Sequence, residues 1–148
     1  MNLERYPYIA NKTYLDFEFD SKGPKGVVRK VVRFTRLDDD LYNLGFGDLE
    51  ERTGKINDLV TSNNSDTEKV LATVSEIADK FMLRFPHAIV AIQGTTKART
   101  RLYQMNIAAY WDEINKVFEV RGLRHGKWEA FRKGINYDAF AARRLQKN

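Results

Sequence analysis

Apolar and polar residues alternate from Thr13 to Asp20, with Leu15, Phe17 and Phe19 set against Asp16, Glu18 and Asp20. That period of two predicts a β-strand with one buried face. Residues 21–26, with two glycines and a proline, read as a turn, and Val27 to Arg36 as a second strand. On it Val28, Lys30, Val32 and Phe34 share one face, and Arg29, Val31 and Arg33 the other. After the acidic turn Asp38-Asp39-Asp40, a third strand is predicted from Leu41 to Leu49, with Gly45 and Gly47 on one parity marking a bulge or a close packing partner. Glu51 to Gly54 reads as a hairpin tip before a short strand around Lys55 to Thr61.

The period then changes to that of a helix. Val70, Leu71, Val74, Ile77, Ala78, Phe81, Met82 and Phe85 recur at helical spacing until Pro86, and Ser65-x-x-Glu68 matches a capping box at the start. Ala88 to Gln93 predicts a short buried strand ending at Gly94, and a second helix is expected from Thr95 or Thr96 to about Asn115. Its buried face would be Ala98, Leu102, Met105, Ala109 and Ile114, flanked by Tyr103 and Tyr110. Lys116 to Leu123 and Lys127 to Lys133 predict a hairpin across Arg124-His125-Gly126, and Tyr137 to Gln146 a short basic helix. The expected fold is α+β: a twisted antiparallel sheet of about five to seven strands, with helices mainly on one face.

Composition narrows the function classes. The 148 residues show no repeat, low-complexity tract or linker, so residues 1–148 read as one domain. No cysteine is present, which excludes disulfides, thiol catalysis and thiolate metal sites. No apolar run approaches the roughly 18 residues of a membrane span, and the first residues lack the apolar stretch of a secretory signal. The expectation is a cytoplasmic protein that does not engage a membrane. Charge is lopsided: residues 1–93 carry 13 Lys and Arg against 15 Asp and Glu, while residues 94–148 carry 12 against 5. The basic last third favours an acidic or phosphate-rich partner.

The segment most suggestive of chemistry is Gly94-Thr95-Thr96-Lys97-Ala98-Arg99-Thr100-Arg101. A strand ends at a glycine, and a helix opens with three cations and no acid. Helix N-termini attract anions, and cations there oppose the helix dipole, so Thr95, Thr96, Lys97, Arg99 and Arg101 are candidate phosphate ligands. The G-x-x-x-x-G-K spacing of a Walker loop is absent. Tyr103 beside Arg99 would suit base stacking with phosphate contact, and Arg29 and Arg33 on an open sheet face would suit a single-strand platform. Asn63 and Asn64, before the first helix, form a candidate secondary ligand loop. His87 and His125 have no partner at motif spacing, and no catalytic or zinc signature is present. The residues name no cofactor, no metal site and no catalytic group.

The segments Tyr42-Asn43-Leu44-Gly45-Phe46-Gly47-Asp48, Thr61-Ser62-Asn63-Asn64 with Lys69-Val70-Leu71-Ala72-Thr73-Val74, and Gly94-Thr95-Thr96-Lys97-Ala98-Arg99-Thr100-Arg101-Leu102-Tyr103 together resemble a family of uncharacterised bacterial proteins of about this length. The resemblance covers nearly the whole chain. It implies a place in two-gene loci similar to toxin–antitoxin pairs. The strand-rich half followed by a helix is also similar to the sheet-and-helix repeat of PUR-type single-strand nucleic-acid-binding proteins, although the second half here has an extra strand and helix. Three readings stay open. The leading one is a protein that binds RNA or single-stranded DNA and serves as the toxin of such a pair. The others are an enzyme acting on RNA or a phosphorylated small molecule at Thr95 to Arg101, and a module whose basic face docks a protein such as an antitoxin. Self-association is left open with them.

Overall fold

The computed structural model describes residues 4–57 and 64–146. It is a mixed α+β protein in which, among the described residues, nine strands, mostly antiparallel, form an open sheet with three helices, more strands than the pattern predicts. In chain order the elements are β1 (Tyr8–Ala10), β2 (Asp16–Gly23), β3 (Gly26–Arg36), β4 (Leu41–Glu50), β5 (Lys55–Asn57), α1 (Thr67–Arg84), β6 (Ile89–Ile92), α2 (Lys97–Ala109), α3 (Trp111–Val117), β7 (Phe118–Arg124), β8 (Lys127–Ala130) and β9 (Ala139–Arg144). The strand order is β1-β2-β3-β4-β6-β9-β7-β8, with β5 paired to β4. The chain divides into two compact units, one of Met1–Thr35 with Leu44–Phe81, the other of Arg36–Asn43 with Met82–Asn148.

In the first unit the alternating strands pair as expected, with Phe17 opposite Val32 and Asp16 opposite Arg33. Phe17, Phe19, Val32 and Phe34 are buried with Val70, Leu71, Val74, Ile77 and Phe81 of α1. The Phe34 and Phe81 rings stack with centroids 3.9 Å apart. Each such side chain contributes about 1.5–3 kcal/mol on burial. Lys30 shares this apolar face and is buried in an ion pair with Asp48. The expected turn at 21–26 contracts, because β2 and β3 run on to Gly23 and Gly26. Asn64 holds that end: its Nδ2 donates to Gly26 O at 2.9 Å and its Oδ1 accepts from Lys25 N at 2.7 Å. Gly23 passes so near that an added Cβ would lie 2.1 Å from Asn64 O. Of the two glycines of β4, Gly47 has the close partner its parity suggests, since a Cβ there would lie 2.8 Å from Asn57 O and from Ile56 Cγ2, whereas one on Gly45 would make an ordinary contact at 3.5 Å. The capping box is displaced: α1 begins at Thr67, and Asp66 rather than Ser65 occupies the preceding position. The Asp66 carboxylate instead accepts from Tyr6 and Ser21 hydroxyls, both at 2.6 Å.

In the second unit β6 pairs in parallel with the start of β4 (Leu41 opposite Ile89) and antiparallel with β9. The segment expected to close the chain as a helix is therefore a strand. β9 is paired along both edges, with β6 on one side and β7 on the other, and the backbone hydrogen bonds of two neighbours outweigh the helix propensity of Ala139-Phe140-Ala141-Ala142-Arg143-Arg144. β7 and β8 form the expected hairpin. His125 (φ 53°) and Gly126 (φ 73°) both adopt positive φ, the requirement of a two-residue type I′ turn. The predicted long helix breaks at Tyr110 into α2 and α3. Phe131, Tyr137 and Phe140 form the aromatic core here, with Trp111 of α3 against Phe131 at 4.7 Å. Among the described residues no helix is long and apolar enough to cross a membrane.

Candidate nucleic-acid interface

The start of α2 is built by backbone contact. An added Cβ on Gly94 would lie 2.5 Å from Thr100 N and 2.6 Å from Arg99 Cβ, so only glycine lets the chain leave β6 against the helix's first turn. Gly94 N donates to Thr100 Oγ1 at 3.1 Å. Thr96, in extended conformation, is the N-cap, its hydroxyl accepting from Arg99 N at 3.1 Å. Thr95 precedes it on the surface. The hydroxyls of Thr96 and Thr100 thus hold the helix start in place.

Lys97, Arg99 and Arg101 stand on that first turn and a half, with no acid in the opening turn. Among the described residues none of the three has a carboxylate partner, and Arg101 donates only to the Gln104 side chain, at 3.3 Å. At about 100° per residue, Lys97 and Arg101 share one flank of the helix and Arg99 lies on the other.

Several arginines on the strands, by contrast, are neutralised. In the first unit Arg29 bonds Asp20 at 2.6 Å and Glu18 at 3.0 Å, and Arg33 bonds Asp16 at 2.9 Å. The carboxylates of Glu18 and then Asp20 hold the Arg29 guanidinium above its ordinary range. That sheet face carries Asp16, Glu18 and Asp20 against two arginines, so its charge is not basic. In the second unit Glu119 takes both Arg121 and Arg143, and Glu129 takes Arg124 and Arg132. Tyr137 also donates its hydroxyl to Glu129 at 3.1 Å. The Arg124 guanidinium, with smaller help from Arg132 and Tyr137, holds the Glu129 carboxyl below the usual range.

Other candidate residues have structural settings. Tyr103 is buried in the second unit, its ring turned from solvent. Asn64 is 1% exposed, and both ends of its amide are used by the β2–β3 hairpin. Asn63 lies outside the described residues. Arg29, Arg33 and Asn64 belong to one unit, and Thr95 to Tyr103 to the other.

Sequence reasoning missed the orientation of α2. Its buried residues are Thr100, Tyr103 and Gln104, while Ala98, Met105 and Ala109, expected inside, are exposed and Leu102 is half-buried. The cause is hydrogen bonding. Gln104 Nε2 donates to Ile135 O at 2.5 Å and its Oε1 accepts from Tyr137 N at 3.0 Å, while Thr100 is joined to Gly94. The signal available was the pair Thr100 and Gln104, two hydrogen-bonding side chains one helical turn apart.

A family model described as "Family of unknown function (DUF6934)" matches residues 2–145. No curated protein and no solved structure matches the chain.

Proposed function

The chain belongs to this family of unknown function, and from its own surface we propose that it binds single-stranded nucleic acid, RNA or DNA, with phosphates held by Lys97, Arg99 and Arg101. The carrying observation is the contrast in pairing. Arg29, Arg33 and Arg36 of β3, Arg121 and Arg124 of β7 and Arg143 of β9 are matched by carboxylates, whereas the three cations opening α2, grouped within a turn and a half, are not. Cations in a first turn cost a few tenths of a kcal/mol each against the helix dipole. A phosphate would offset that cost and release counterions on binding. Arg29 and Arg33 drop out of the contact set, because Asp16, Glu18 and Asp20 occupy them.

Fluorescence anisotropy with labelled single-stranded RNA, single-stranded DNA and duplex across a salt series tests this. The expected result is saturable single-strand binding, with Arg99→Ala/Arg101→Ala weakening it and lowering the salt slope by about one per lost phosphate contact. Unchanged affinity and slope in that variant would overturn the assignment. The two-gene loci of the resembled proteins extend the reading: the chain is the toxin half of a pair. Its expression alone then arrests growth, and the neighbouring gene product relieves the arrest. Normal growth would remove this extension while leaving the binding reading standing.

A further inference from the structure

α2 packs with its polar side inward. Thr100 and Gln104 face the protein, where Gly94, Ile135 and Tyr137 use their hydrogen-bonding groups. The outward side carries Ala98, Leu102, Met105 and Ala109, and Met105 is 67% exposed. These residues recur at intervals of four, three and four, a continuous stripe about 17 Å long at 1.5 Å per residue. Lys97 and Arg101 border one side of the stripe and Arg99 the other, all without carboxylate partners among the described residues.

From this we infer a docking site: the outward face of α2 receives an amphipathic helix of a partner protein whose apolar seam is flanked by Asp and Glu. Charge complementarity selects the occupant. An apolar seam between unpaired cations matches an apolar seam between carboxylates, with the same alternation of contact and ion pair that sets orientation in paired helices. The makeup of the stripe selects a helix over a lipid surface. Alanines at both ends permit close approach of a second backbone, whereas lipid insertion favours large residues such as Trp, Phe and Leu, of which the stripe has one. A helix seated here covers Lys97, Arg99 and Arg101. Resting on the nucleic-acid reading above, the two occupants exclude each other, and the acidic helix regulates the phosphate-binding face.

The probe is a labelled synthetic peptide of about 18 residues, with leucines at a and d and glutamates at the flanking positions. A lysine-flanked copy and a scrambled copy serve as controls. The full chain should bind the glutamate peptide in anisotropy and reject both controls. Met105→Gln keeps charge and helix propensity while removing the apolar contact. It should weaken the peptide about tenfold, leave circular dichroism unchanged and leave single-stranded RNA affinity within about twofold. The glutamate peptide should also displace bound RNA. Peptide binding that ignores Met105→Gln, or equal binding of the lysine-flanked copy, overturns the site. So does Met105-dependent binding to phosphatidylglycerol vesicles without peptide binding, or Met105-dependent self-association in sedimentation. If the peptide binds and RNA does not, the docking site stands and the nucleic-acid reading falls. If RNA binds and the peptide does not, the reverse holds.

Discussion

Replacing Gln104 by alanine removes the clamp that orients α2, and its cost can be worked from the atoms involved. The Tyr137 N–H is buried and loses its 3.0 Å acceptor, a penalty of about 1–3 kcal/mol for a buried donor left unmade. The Ile135 carbonyl is partly buried and loses its 2.5 Å donor, which water replaces incompletely, adding about 1 kcal/mol. The expected loss is about 2–4 kcal/mol, a large part of the 5–15 kcal/mol typical of a folded protein. In calorimetry this lowers Tm by roughly 4–16 °C for a chain of this size. Gln104→Met separates hydrogen bonding from shape, since it keeps most of the volume and loses both bonds. It should fall nearly as far as alanine. Urea denaturation should show the same order with an unchanged m-value. If both variants stay within about 0.5 kcal/mol of the parent, Gln104 does not anchor the helix, and the argument for its outward apolar face loses its cause.

The buried pair in the first unit gives a second test: Lys30→Ala strands the Asp48 charge and should cost about 3–5 kcal/mol, whereas Lys30→Met with Asp48→Leu should recover most of it in the same urea assay. A third concerns acid. The folded-state pKa of Glu129 is depressed by Arg124, so its contribution is present above the unfolded value of about 4.3 and is lost as pH falls through the lower folded value. The stability gap between the parent and Glu129→Gln should therefore hold at neutral pH and close below about pH 4. A gap independent of pH would refute the pairing.

Where one face of an element is buried and nothing else competes, its pattern was legible. β2, β3, α1 and the β7–β8 hairpin follow their periodicity, and even the I′ turn is foreshadowed by His125-Gly126. Two elements were not legible, for different reasons. β9 is made of helix-forming residues, and its state is decided by strands β6 and β7, distant in sequence. α2 has the right residues for a helix and the right apolar stripe, but two hydrogen-bonding side chains at Thr100 and Gln104 decide which side faces in. Periodicity ranks positions by hydrophobicity and is blind to a specific polar partner. The same limit governs the candidate site. Lys97, Arg99 and Arg101 were visible as cations, while the pairing that distinguishes them from Arg29 and Arg33 needs the carboxylates across the sheet.

β9 follows in sequence both of the strands it separates. During synthesis β6 and β7 are made first, and although β6 can meet β4 and β7 can meet β8, neither has its second neighbour until residue 144 has cleared the ribosome. Until that moment each presents a bare edge, and Val90, Val120 and Phe140 have no common core to enter. The second unit therefore completes its sheet after elongation has passed β9 and not progressively along the chain. Tethered to the ribosome by a long C-terminal linker, a chain ending before that strand should remain sensitive to protease across residues 82–138, and one that includes it should not.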